Sequence, residues 1–147
     1  QCRQIDRVTV KGSIEPMGIF TYDTCIEAIP MPAADSDPTI SPEDESNSFM
    51  HYEDEFTEHP DIVALRQGVS QRFLSQFALG FELYSGGDWE RAAQVLRDVA
   101  ESTQRASAKA GRGGQPDGPT AALLNFMKEH QNRAPKGWKG YRELTEK

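Results

Sequence analysis

Between Asp35 and Asp61 the chain carries ten Asp and Glu residues, no Lys or Arg, and prolines at 38, 42 and 60. Like charges at this density repel, and the prolines interrupt helix and sheet alike, so the stretch is expected to be a solvated, weakly ordered linker. Ten negative charges here against a chain total of −7 leave the remainder at +3. A calcium loop would need carboxylates at fixed offsets around a sharp glycine turn, and this stretch has no glycine. The linker therefore divides 147 residues into a short front segment and a longer rear one. The expected boundaries are 1–29, 30–59 and 60–147. Phe49, Met50, Tyr52 and Phe56 interrupt the acidic run as candidate docking side chains, and Ser41, Ser46 and Ser48 as candidate phosphorylation sites.

In the front segment, residues 5–11 (Ile-Asp-Arg-Val-Thr-Val-Lys) mix apolar and polar side chains and favour β-branched ones, as a half-buried strand does. Ile5, Val8 and Val10 do not alternate cleanly. Gly12 and Pro16 punctuate the run, and residues 17–22 (Met-Gly-Ile-Phe-Thr-Tyr) supply a second one. The pair predicts a β-hairpin with a loop of about four residues. A register placing Lys11 opposite Pro16 would also set Cys2 opposite Cys25. Two cysteines in a chain of this length are expected to be reduced thiols rather than a disulfide scaffold. Two strands alone are marginal in water, so the hairpin is expected to belong to a larger sheet with further strands upstream.

From Ile62 the apolar period becomes helical. Phe73, Phe77, Phe81 and Tyr84, with Leu74 and Ala78, form one stripe on a helix starting at about 60 or 69 and ending near Ser85. Gly86-Gly87 stops it, and Asp88 is a ready N-cap for a second helix from Trp89 to about Thr103. That helix turns Trp89, Ala92, Ala93, Leu96 and Val99 or Ala100 to one side, which makes an antiparallel αα-hairpin. Residues 107–115 read as a basic loop. Asp117-Gly118-Pro119 opens a third helix, with Leu123, Leu124, Phe126 and Met127 as its apolar side. Residues 134–137 end it, and Trp138, Tyr141 and Leu144 are expected in a last turn that packs back.

Composition excludes several classes of function. Net charge −7 and pI near 5.0 argue against general nucleic-acid binding, which needs a clustered cationic surface. No run approaches the roughly 20 apolar residues of a membrane span. His51, His59 and His130 lack zinc-ligand spacing, no Ser or Cys nucleophile has a positioned base, and no Walker-type loop is present. Gly111-Arg112-Gly113-Gly114 reads as linker rather than an RNA contact. No catalytic residue and no metal ligand is assigned within the chain.

The hairpin sequence, Ile5-Asp6-Arg7-Val8-Thr9-Val10-Lys11-Gly12 followed by Glu15-Pro16 and Ile19-Phe20-Thr21-Tyr22-Asp23, resembles the last two strands of the class III nucleotidyl cyclase catalytic domain. The resemblance covers roughly residues 1–26. Residues 81–92 and 117–124 also look like the helical tail that follows that domain in some protist and algal members. The implied architecture is α+β: the carboxy-terminal hairpin of an α/β catalytic domain, the acidic linker, and a small helical domain. The implied reaction converts ATP or GTP to the 3′,5′-cyclic nucleotide and pyrophosphate at a dimer interface between two cyclase domains. Magnesium or manganese ions are held there by two aspartates that this chain does not contain, so the chain alone is expected to be inactive. Lys11 occupies the position of the family's Val-Lys-Gly lysine, which contacts the terminal phosphates, and a lysine beside a glycine turn is a reachable point charge for that purpose. Its bland alternative is a solvated loop lysine. Asp6 and Arg7 match the family pattern and are read as structural, as a local ion pair.

The resemblance places the chain on the cytoplasmic side and leaves room for membrane anchoring of the parent protein elsewhere. The two-helix unit, with Gly87-Asp88-Trp89-Glu90 leading into its second helix, also resembles a single tetratricopeptide repeat. That supports the rival reading of a non-catalytic interaction module, although such solenoids normally stack about three repeats.

Overall fold

The computed structural model describes residues 2–24, 63, 69–109 and 114–144. Strand β1 (Cys2–Val10) pairs antiparallel with β2 (Met17–Tyr22). Three helices follow, α1 (Gln71–Gly86), α2 (Trp89–Lys109) and α3 (Gly118–Glu129), and then a short strand, β3 (Arg142–Leu144). Strand β3 pairs parallel with the end of β1, giving the sheet order β2-β1-β3. Among the described residues the fold class is thus α+β, with a three-stranded sheet and the three helices α1 to α3. The linker at 30–59, its aromatic residues and serines, His51, His59 and Cys25 lie outside the described residues.

The register departs from the expected one. Val8 faces Met17 and Cys2 faces Tyr22, with a bulge between Gln4 and Asp6. Cys2 is therefore an exposed free thiol set across from Tyr22. Eight residues, 9–16, separate the last paired positions of β1 and β2, and within them Thr9 and Val10 pair with Glu143 and Leu144 on the other edge of β1. The bulge also explains the imperfect alternation. An extra residue in one strand resets which face follows it, so Ile5 packs against the core while Asp6 and Val8 are buried two apart.

Helix α1 buries Phe77, Gly80 and Tyr84, with Phe73 and Phe81 half-buried at the stripe's edges. It ends where Gly87, at φ +87°, takes a left-handed conformation that costs glycine nothing. There Gly87 N donates to Tyr84 O at 3.1 Å and Asp88 N to Leu83 O at 3.0 Å, the paired bonds of a Schellman ending. Helix α2 buries Trp89, Ala92, Ala93, Leu96 and Val99 as its periodicity predicts. It runs past Thr103 to Lys109, so the expected basic loop starts later than residue 107. The extension is sustained by good helix formers, a Glu101–Arg105 pair at 2.9 Å, and the Thr103 hydroxyl donating to Val99 O. Residues 142–144 form a strand where a last helical turn is expected, since β1 offers an open ladder there.

Two tryptophans close the C-terminal end of α1. Trp89 Nε1 donates to Tyr84 O at 2.9 Å, and Trp138 Nε1 lies 3.1 Å from both Tyr84 O and Ser85 O. These indoles satisfy carbonyls that a helix end leaves without intrahelical partners. Their rings meet edge-on at 5.0 Å inside a cluster with Tyr84 and Phe126. Hairpin and helices thus share one core and belong to a single compact unit, Gln1–Tyr22 with Gln71–Lys147. Ile5 of β1 packs against the helical core within this unit.

Candidate functional site

Two ion pairs fasten strand β1, one to the start of α3 and one to β3. Arg3 donates from Nη1 to Asp117 Oδ2 at 3.1 Å and from Nη2 to Asp117 Oδ1 at 2.8 Å. Asp117 is the N-cap of α3, and its Oδ2 also accepts from Thr120 N at 2.9 Å and from the Thr120 hydroxyl at 2.6 Å. Desolvation by burial would push this carboxyl up. It is outweighed by hydrogen bonds from Arg3 and Thr120 and by the charge of Arg3, and Asp117 titrates below its ordinary value. The Arg3 guanidinium also lies over the rings of Phe77 and Phe73, at 4.1 and 4.6 Å. At the second fastening Asp6, 4% exposed, pairs with Arg142 of β3, whose guanidinium sits 4.9 Å from the Phe126 ring centroid. The expected local pair between Asp6 and Arg7 is replaced by this long-range one. Asp6 Oδ1 accepts the Arg7 backbone N–H, at 2.8 Å, and the Arg7 side chain is exposed.

Lys11 follows directly on the end of β1. Ser13 N donates to Val10 O at 2.9 Å, and Gly12 sits at φ +89°, the positive value that the third position of a type II turn requires. The Ser13 hydroxyl donates to Glu15 O at 2.6 Å and braces the loop. Lys11 is exposed at the tip. It lines a cleft of about 480 Å³ with Val10, Ser13, Tyr141, Glu143 and Leu144. Two distant parts of the chain therefore form the two walls: the hairpin loop, and the segment around β3. On the β3 side Glu143 Oε1 lies 3.7 Å from Lys139 Nζ, with both side chains well exposed.

The lining of the cleft carries one cation, hydroxyls from Thr9, Ser13 and Tyr141, and one carboxylate, with the Ser13 hydroxyl hydrogen already given to Glu15 O. That donor set suits a small anionic group and does not fit a two-metal centre. Among the described residues no three His, Cys, Asp or Glu side chains converge as metal ligands, and no helix is long and apolar enough to cross a membrane. His130 rests against the Trp89 and Phe126 rings, with its Nδ1 3.1 Å from Phe126 O. A larger and mainly apolar groove of about 730 Å³ runs between the start of β1 and α1, lined by Gln4, Leu74, Ala78 and Phe81 among others.

Sequence reading places Lys11 at the turn and misses everything that faces it. Tyr141 and Glu143 come from far along the chain, through a parallel pairing that no local pattern announces. No protein-family model, curated protein or solved structure matches this chain.

Proposed function

We propose that this chain is the carboxy-terminal portion of a class III nucleotidyl cyclase, in which Lys11 contacts the terminal phosphates of ATP or GTP. The reading rests on the ordered pattern of residues 5–12, 15–16 and 19–23, carried on an antiparallel hairpin with Lys11 exposed at a glycine turn. An ammonium group there is accessible and uncrowded, as a lysine neutralising a polyphosphate leaving group needs to be. In the reaction the 3′-hydroxyl attacks the α-phosphate and pyrophosphate departs. Lys11 holds charge on the departing side. Metal ions, magnesium or manganese, belong to aspartates outside this chain, and a second cyclase domain completes the site. The helices act as an integral brace for the hairpin.

The test is a longer polypeptide that includes this chain behind its catalytic sequence. It should make cyclic nucleotide from ATP or GTP with magnesium or manganese, and Lys11→Ala should lower kcat/KM by roughly 10- to 100-fold. This chain alone should make none. Cyclic nucleotide formed by this chain alone, or none formed by the longer polypeptide, overturns the reading.

A further inference from the structure

We propose that the carboxy-terminal strand β3 is a working wall of the Lys11 cleft, and that the Lys139–Glu143 pair controls the access of a polyphosphate group to Lys11. The ligand class rests on the reading of Lys11 above, whereas the second wall rests on the geometry. Thr9 and Val10, the two residues before Lys11, pair with Glu143 and Leu144 and not with β2. The turn that presents Lys11 is thus held by β3. The half-buried Asp6–Arg142 ion pair fixes which residue of β3 stands beside which residue of β1, and a slip by one residue would reverse every β3 side chain. This register is what brings Tyr141 and Glu143 to the cleft.

Charge then decides occupancy. A polyphosphate drawn to Lys11 meets the carboxylate of Glu143 on the facing wall, and that repulsion is lessened while Lys139 stays at 3.7 Å from Glu143. Lys139 and Glu143 therefore act in opposite directions on the same ligand, although neither is part of the hairpin. Binding at Lys11 and docking of β3 are linked, each biasing the other to the same extent.

The experiment titrates this whole chain with inorganic tripolyphosphate at low ionic strength, where surface charges are least screened, and follows backbone amide signals by NMR. The amides of residues 11–13 and 141–144 should move together on one binding curve. Glu143→Gln should tighten binding and Lys139→Gln weaken it, each by roughly two- to fivefold as expected for exposed charges. Both side chains are exposed, so neither variant threatens the fold. Movement at 11–13 with 141–144 still and both variants binding like the parent overturns the role of β3 and leaves the phosphate role of Lys11 standing. No movement at 11–13 overturns the phosphate role of Lys11, and this inference with it.

Discussion

Arg3 and Asp117 form a two-pronged ion pair across 114 residues of sequence, with the guanidinium 6% and the carboxylate side chain 14% exposed. The same carboxylate caps α3. One side chain thus fixes where a helix begins and which strand that helix packs beside. Removing it takes a carboxylate away from a buried guanidinium and an acceptor away from two groups at the start of α3. Asp117→Ala should cost about 3 to 5 kcal/mol, the usual penalty for breaking a buried pair from one side. Urea unfolding would show a lower midpoint at unchanged slope, and a loss below about 1 kcal/mol would mean the pair is not holding strand to helix.

The same carboxylate makes stability depend on pH in a fixed direction. Its folded pKa is depressed below the ordinary value of 3.8, so the unfolded chain binds its proton more readily. The stabilisation is complete above the unfolded value and is lost as pH falls through the folded one. Between pH 7 and 2 the difference in unfolding free energy between the parent and Asp117→Asn should therefore shrink at the acid end. A difference that stays constant down to pH 2 would rule out this linkage.

How far the sequence reveals this fold depends on the range of the interaction concerned. Helix α2 and its buried stripe of Trp89, Ala92, Ala93, Leu96 and Val99 follow from a 3.6-residue period, and the caps at Asp88 and Asp117 follow from residue type. These are local rules. Strand β3 does not follow, because three residues carry no periodicity and their strand character comes from an open edge supplied by β1. The same holds for Ile5, which looks out of phase until the bulge is known. At the candidate site Lys11 and its glycine turn are readable locally, whereas Glu143 and Tyr141 reach it only through tertiary pairing.

Gly80 marks the closest approach of α1 and α2. A Cβ there would fall 2.6 Å from Leu96 Cδ2 and 2.7 Å from its Cγ, inside the core. Alanine normally favours a helix over glycine by about 1 kcal/mol, so the sign of the mutation tests which effect wins. Overpacking in a dense core costs about 1 to 3 kcal/mol, and Gly80→Ala should therefore destabilise. Removing the opposing γ and δ carbons should relieve the clash, so Gly80→Ala with Leu96→Ala should lose less than the two single losses added together. Additive losses would place the strain elsewhere.

Tyr84 buries a hydroxyl that has no hydrogen-bond partner among the described residues. Its ring is fully buried among Trp89, Trp138 and Phe126, and its backbone carbonyl accepts from both indoles. Its Oη is buried without a partner among the described residues, and burial holds the phenol far above its usual pKa. An unpaired buried hydroxyl carries a desolvation cost with no bond to offset it, so Tyr84→Phe should be neutral or stabilising by about 1 kcal/mol. The ring is a different matter. Tyr84→Ala should cost about 3 to 5 kcal/mol, since it opens a cavity beneath both tryptophans. Trp138→Phe keeps an aromatic ring at this position and removes the N–H to Tyr84 O and Ser85 O, a loss of about 1 kcal/mol from the hydrogen bond. Thermal unfolding of the three variants separates hydroxyl, ring and indole. A Phe variant as damaging as the Ala variant would mean that the hydroxyl, not the ring, holds the cluster together.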